Sequence, residues 1–342
     1  MQKEILDKQR LLNEKGHLNV AGFQKKMLLE YDRKDIKAAG FKIKEWDYYI
    51  VMNDDYAVAL TIADNSYLSF LSASILDFND KEYVTSNIMK FFTFGKFKLP
   101  STTAKGDIKY HDKKIDIAFL NDGEKRILRC KMLDFKDKKP FECELELFDE
   151  PNESMVIAIP FKENKKAFYF NQKINCMKAK GYALYGEKRY EFGDESLGTL
   201  DWGRGVWTYD NTWYWGSASG YVNGKTFGFN IGYGFGDTTS ASENMIFYDG
   251  VAHKLEDVTF HIPVKDGKND YMSPWTFTSN DKRFEMEFVP VLDRFDKTNI
   301  LVLLSDQHQV FGKFTGTAVL DDGTVIKLKD FMGFAEKVRN KW

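Results

Sequence analysis

The stretch Trp46-Asp47-Tyr48-Tyr49-Ile50-Val51-Met52 runs into Asn53-Asp54-Asp55, and Tyr56-Ala57-Val58-Ala59-Leu60-Thr61-Ile62 follows. Aromatic and β-branched residues on both sides of an Asn/Asp cluster are the pattern of two strands joined by a turn. Ala63-Asp64-Asn65-Ser66 supplies a second turn and residues 67–78 a third run, so the segment reads as an antiparallel meander. The same grammar continues outward. Residues 107–110 and 114–119 flank His111-Asp112, and Asn121-Asp122-Gly123 leads into 126–132. In 142–148, Glu142, Glu144 and Glu146 alternate with Cys143, Leu145 and Leu147, which predicts a half-exposed strand. Further strands are expected at 213–221, 226–233 and 244–248. Asp321-Asp322-Gly323 predicts a hairpin between 311–320 and 324–328.

Two segments depart from this pattern. Ile5, Leu6, Gln9 and Leu12 stand at helical spacing within 3–14, as do Phe331, Phe334, Ala335 and Val338 within 330–341. Short helices are therefore expected at both ends. Between them, strands at regular spacing suggest an all-β fold of barrels or sandwiches rather than a parallel α/β sheet. A composition change near Lys180, after the basic stretch 162–173, places the division into two domains at 1–185 and 186–342.

Phe occurs 29 times against 26 Leu in the 342 residues, and with 17 Tyr and 7 Trp it brings the aromatics to 15%. Such an excess points to a bulky β interior or to an aromatic-lined cavity. The 49 Lys and Arg balance 51 Asp and Glu, so the chain has no electrostatic reason to bind nucleic acid. No apolar run approaches the ~20 residues of a membrane helix. The charged start through Lys15 lacks an apolar signal core, and Cys130, Cys143 and Cys176 are odd in number without C-x-x-C spacing. A reduced, cytoplasmic compartment is expected.

Familiar catalytic motifs are missing. Gly216-Ser217-Ala218-Ser219-Gly220 has Ala218 where a nucleophile elbow needs serine. His17, His111, His253, His261 and His308 are scattered, and neither a metal site nor a cofactor is expected. What remains is two concentrations of functional residue types. Asp201-Trp202-Gly203-Arg204-Gly205-Val206-Trp207, with Trp213-Tyr214-Trp215, gathers four of the seven tryptophans around one arginine. An Asp201–Arg204 pair beneath indoles would serve as a structural clasp or as an anchor for a polar headgroup. Glu243-Asn244, leading to Asp249-Gly250 and His253, places a carboxylate where a Gly-rich corner enters a strand. At an apolar cavity mouth its pKa would rise and it would donate a proton; at an ordinary turn it would cap backbone amides.

The tryptophan block, Glu243-Asn244 through Phe247-Tyr248-Asp249-Gly250, and Leu320-Asp321-Asp322-Gly323-Thr324 together resemble the bacterial domain-of-unknown-function family 2804. The likeness runs from about residue 10 to the end. That family is distantly similar to carotenoid hydratase and AttH-like proteins, which implies two consecutive lipocalin-like antiparallel β-barrels. It carries over no catalytic residue.

Three functions are therefore expected to compete. The first is binding of an apolar or amphipathic small molecule, a lipid or isoprenoid, in a barrel cavity. The second is an isoprenoid hydratase or isomerase that protonates an alkene in the same cavity, and the third a structural role without ligand. For the second, Glu243 is the acid ahead of Asp201, because Arg204 would keep Asp201 charged. Trp202, Arg204, Trp207, Trp213, Trp215, Asn244 and His253 are the expected ligand contacts.

Overall fold

The computed structural model describes residues 2–300 and 303–341. Two antiparallel sheets dominate it, each curled into an open barrel. In the first, hydrogen bonding runs in the order Glu82–Phe91, Leu68–Asp77, Tyr56–Asp64, Ile43–Met52, Leu197–Val206, Asn164–Tyr185, Lys139–Phe148, Arg126–Lys136, Asp116–Asn121 and Ile108–His111. The meander around Trp46 is present as expected, and the Glu82–Phe91 strand curls towards Arg126–Lys136. The second sheet runs Val251–Lys254, Met245–Tyr248, Lys225–Tyr233, Asp210–Val222, Val325–Lys341, Leu303–Val319, Phe284–Ile300, Trp275–Ser279 and Val258–His261.

The changeover between sheets falls at 207–209. The strands Lys188–Phe192 and Leu197–Val206 hydrogen-bond into the first sheet. Both expected terminal helices are absent, and the only helical turns among the described residues are the 3-10 segments Arg33–Asp35 and Gly40–Lys42. Near the start, Gln9–Arg10 pairs with Leu29–Glu30; Ile5 is buried but Leu6 is 74% exposed, so no single apolar stripe exists. Near the end, Val325–Lys341 is a long strand buried on both faces from Met332 to Glu336. Burial on both faces removes the alternation by which a strand is recognised, and the helical spacing there is a coincidence of that continuous apolar run.

Both barrel interiors are packed. Phe229, Phe277, Phe284, Phe288 and Phe314 meet inside the second with ring centroids 4.5–6.0 Å apart. Trp202, Phe170 and Tyr31 meet edge to face inside the first. Of the two alternatives left open by the aromatic excess, these contacts belong to the bulky β interior. Two clefts lie at the surface, one of about 290 Å³ beside Lys109, Arg129 and Tyr182, and one of about 560 Å³ around Lys265 and Met272.

The two sheets pack against each other through their outer faces. Tyr48, Ile50, Met52, Leu76 and Phe78 of the first meet Trp215, Leu292, Phe311, Met332 and Phe334 of the second. This seam is apolar at one end. At the other it becomes polar.

Candidate functional site

Side chains of directly paired residues share a face, so strand register decides what reaches the polar end of the seam. In the first sheet Lys173, Asp201 and Tyr48 stand abreast, and Asn171, Gly203 and Trp46 form the next row. In the second, Trp215 stands between Gly232 and Glu336, and Glu336 is paired in turn with Gln309. The facing rows bring Lys173, Asp201, Glu243 and Glu336 together beneath indoles.

The buried Lys173 ammonium lies 3.1 Å from Asp201 Oδ1, 3.8 Å from Glu243 Oε2, and 3.8 Å from the centre of the Trp215 ring. Asn171 Nδ2 donates to Asp201 Oδ1 at 2.6 Å. Trp215 Nε1 donates to Asn230 Oδ1 at 2.6 Å, and Asn230 Nδ2 donates to the Glu243 carbonyl at 2.7 Å. Glu336 is held from both sides, by Trp213 Nε1 at 3.0 Å and Gln309 Nε2 at 3.0 Å. Gly232 permits the approach of Glu243, since a Cβ there would stand 2.7 Å from Glu243 Oε1.

Two of the three carboxyl groups are pushed towards their neutral form. Burial raises Glu243, against the pull of Lys173. Burial likewise lifts Glu336 from 4.5 to about 7, with Trp213 and Lys173 opposing and Asp201 assisting. Tyr169 is raised well above its ordinary value by burial and by the charges of Glu243, Asp201 and Glu336 around it. Lys173, its ion-pair partner Asp201, and two carboxyls whose burial favours the protonated form thus share one space.

Aromatic rings close that space on the outside. Half-buried Trp46 stacks on Tyr169 at 6.2 Å and meets Trp207 at 5.1 Å, and Trp207 meets Trp213 at 6.3 Å. Phe235 fills the ring they form, with centroids 4.8 Å from both Tyr169 and Trp207 and 5.3 Å from Trp213. It sits between Gly234 (φ +92°) and Gly236 (φ +75°), the Gly-rich corner of the sequence. Two glycines of the tryptophan block make room. An added Cβ would come within 1.9 Å of Trp46 at Gly203 and 3.2 Å of Trp207 at Gly205.

Of the expected residues, Asp201, Glu243, Trp207, Trp213 and Trp215 converge here. Arg204 and Trp202 do not. They occupy even positions of Leu197–Val206 and point into the first barrel, whereas Asp201 at an odd position points into the seam, so the expected Asp201–Arg204 pair cannot form. Arg204 is fully buried; it donates to Asp47 Oδ1 at 2.9 Å and to the carbonyls of Trp46, Gly203 and Pro100, and lies over Trp202 at 4.2 Å. Glu45, held by Tyr31 and Arg33, completes that cluster. Asn244 is structural: it accepts from Gly232 N at 2.7 Å and donates to the Glu256 carbonyl at 2.7 Å. His253 stands apart at the Asp321 turn, its Nδ1 accepting from Asp321 N at 3.2 Å.

Lys173, Glu336, Asn171, Tyr169, Trp46 and Phe235 join the site without having been expected there from the sequence. A signal existed for three. Tyr169, Asn171 and Lys173 occupy alternate positions of one strand, facing away from Phe168 and Phe170. Glu336 carried none, being read as a helix residue.

No cluster of three potential metal ligands occurs among the described residues. No curated protein matches the chain. Solved structures that share its fold include the following two. An AttH-assigned protein from Nitrosomonas europaea is similar with a TM-score of 0.53 and 10% identity, over 90% of this chain and 96% of that one. Kievitone hydratase from Nectria haematococca is similar with a TM-score of 0.50 and 10% identity, over 87% and 88%. Both likenesses confirm the tandem lipocalin-like barrel architecture. At the level of sequence, residues 2–342, from the first-barrel meander through the tryptophan block to the last strand, match the model of the Domain of unknown function (DUF2804), and the chain belongs to that family.

Proposed function

We propose that this protein takes up an apolar, alkene-bearing small molecule at the seam between its barrels and transfers a proton to it, as a hydratase or isomerase does. The observation that carries this reading is Glu336: a buried carboxyl, raised to about 7, fixed by two donors beneath a wall of indoles. Protonating an alkene needs a neutral acid in an apolar setting, and aromatic faces stabilise the developing cation. Glu243 is the second acid in reach of the same space, and Asp201 is the carboxyl that pairs with Lys173. Water addition then requires a base, a role that falls to whichever carboxyl is ionised. Of the two similar structures, one is named a hydratase, which is compatible with this chemistry. Phe235 occupies the position a substrate would take, so entry requires the 234–236 corner to swing away.

Turnover-free binding of an apolar or amphipathic molecule is the second reading. It is favoured by the Lys173 ammonium, which already covers the Trp215 face. The test starts from protein purified from its own host, whose bound compounds are identified by native mass spectrometry after solvent extraction. The extracted compound is then incubated with protein in heavy water. Deuterium incorporated at carbon, or the mass gain of one heavy water, abolished by Glu336→Gln or Glu243→Gln, supports the enzyme. A bound compound recovered unchanged supports the binding protein. Repeated absence of any apolar adduct refutes both.

A further inference from the structure

We infer that residues 89–98 form a docking loop for a lipid surface bearing anionic headgroups. The segment Met89-Lys90-Phe91-Phe92-Thr93-Phe94-Gly95-Lys96-Phe97-Lys98 holds three lysines and no carboxylate; Lys90 is paired with Asp112, which leaves Lys96 and Lys98 as its exposed cations. Its arrangement reverses the usual preference of a water-soluble surface. Thr93 is buried, while Met89, Phe91, Phe92 and Phe94 are 55%, 63%, 65% and 48% exposed. Phe91 and Phe94 each lie 6.4 Å from Phe92, making a continuous apolar ridge.

The ridge is held in place rather than left to chance. Asp64, fully buried, accepts hydrogen bonds from Thr93 Oγ1 at 2.7 Å and Gly95 N at 2.8 Å. Phe92 N and Phe94 N donate to the carbonyls of Tyr67 and Ser66. With these bonds made, Phe92 (φ 59°) and Phe94 (φ 48°) adopt left-handed backbone conformations that bulky side chains avoid. A chain that accepts such strain to bury threonine and present phenylalanine has an apolar partner for it.

Charge identifies that partner. Lys96 and Lys98 flank the ridge exposed, and Lys42 lies beside the 51%-exposed Phe41. The whole chain carries −2, so this cationic rim is local. Aromatic side chains between lysines match the boundary of a bilayer, where rings enter the acyl region and ammonium groups meet phosphates. No helix of the described residues is long and apolar enough to cross a membrane. The patch also leads towards the seam. Phe92 bonds to Tyr67, Lys44 lies 4.2 Å over the Tyr67 ring, and Trp46 is the next residue on the same face as Lys44. A molecule leaving the lipid surface would meet the tryptophan ring first. The docking surface itself does not depend on seam chemistry.

Co-sedimentation of the full chain with vesicles tests this, using equal parts phosphatidylcholine and phosphatidylglycerol against phosphatidylcholine alone. The protein is expected to pellet with the anionic vesicles and about tenfold less with the neutral ones. Combined Phe91→Ser, Phe92→Ser and Phe94→Ser should abolish pelleting, while Lys96→Glu with Lys98→Glu should weaken only the anionic case. Circular dichroism and the melting temperature of each variant should match the parent, because the substituted side chains are exposed. Failure of the parent protein to pellet, or pelleting unaffected by the Phe substitutions, overturns the proposal. So does a vesicle-free dimer that those substitutions dissociate, since a second copy would then be the occupant.

Discussion

Arg204 brings a full positive charge into the first barrel, where Asp47 and three carbonyls meet it. Removing the guanidinium would leave Asp47 buried against Glu45 with its compensation gone, and burial already raises Asp47 despite that cation. Arg204→Ala should therefore cost about 3–5 kcal/mol, read as a large fall in melting temperature. A cost below about 1 kcal/mol, the value for exposed pairs, would refute the enclosed cluster. Glu336 makes a prediction of the opposite kind. Its carboxyl holds a proton more tightly folded, at about 7, than unfolded, near 4.5. Folding is thus helped fully below about pH 4.5, and the help is lost as pH rises through about 7, in total about 3 kcal/mol. Glu336→Gln should remove that decline when unfolding free energy is followed across this range. An unchanged profile would show that Glu336 does not hold its proton there.

Among the elements, the Leu197–Val206 strand divides its residues by parity: Asp201, Gly203 and Gly205 face the seam, and Trp202 and Arg204 the barrel. Gly203→Ala would place a methyl 1.9 Å from the Trp46 indole, so that ring must move. The expected result is about 1–3 kcal/mol of destabilisation together with a shift in tryptophan fluorescence. Gly40→Ala, with nothing within 4 Å of the new methyl, should change neither. Equal behaviour of the two variants would contradict the close packing. This strand also marks how far the sequence could be read. The Asn/Asp turns and the Glu142–Glu146 alternation declare strands locally, and the structure has them. The density of tryptophan drew the reading to this strand, but adjacency in sequence was taken for adjacency in space, and Asp201 was joined to an arginine on the opposite face. Lys173 and Glu336 were illegible for another reason: each lies in a strand buried on both faces, and which face meets which partner is decided by register between distant segments.

At the scale of the molecule, the two barrels are joined by a common core. Their shared apolar face includes Tyr48, Ile50, Phe78, Trp215, Phe311 and Phe334. The bulge at Cys176 adds hydrogen bonds across the boundary, from Asn175 Nδ2 to Ser217 Oγ at 2.8 Å and from Cys176 N to Ser219 Oγ at 3.1 Å. Neither barrel can leave this contact without exposing large side chains and orphaning buried amides. A single heat-capacity peak, with calorimetric and van't Hoff enthalpies equal, is expected on thermal unfolding. Two resolved transitions would count against a common core.

The position of Val325–Lys341 has a consequence for synthesis on the ribosome. It lies in the middle of the second sheet, between Asp210–Val222 and Leu303–Val319, yet it is translated after both. At about 5–20 residues per second, the Asp210–Val222 strand emerges seconds before its neighbour exists, with Trp213 and Trp215 uncovered. The nascent chain must keep that ribbon from pairing with another polypeptide until the last segment arrives. During this interval the protein depends on whatever shields the emerging chain, and slowing translation after residue 222 would lengthen the exposure.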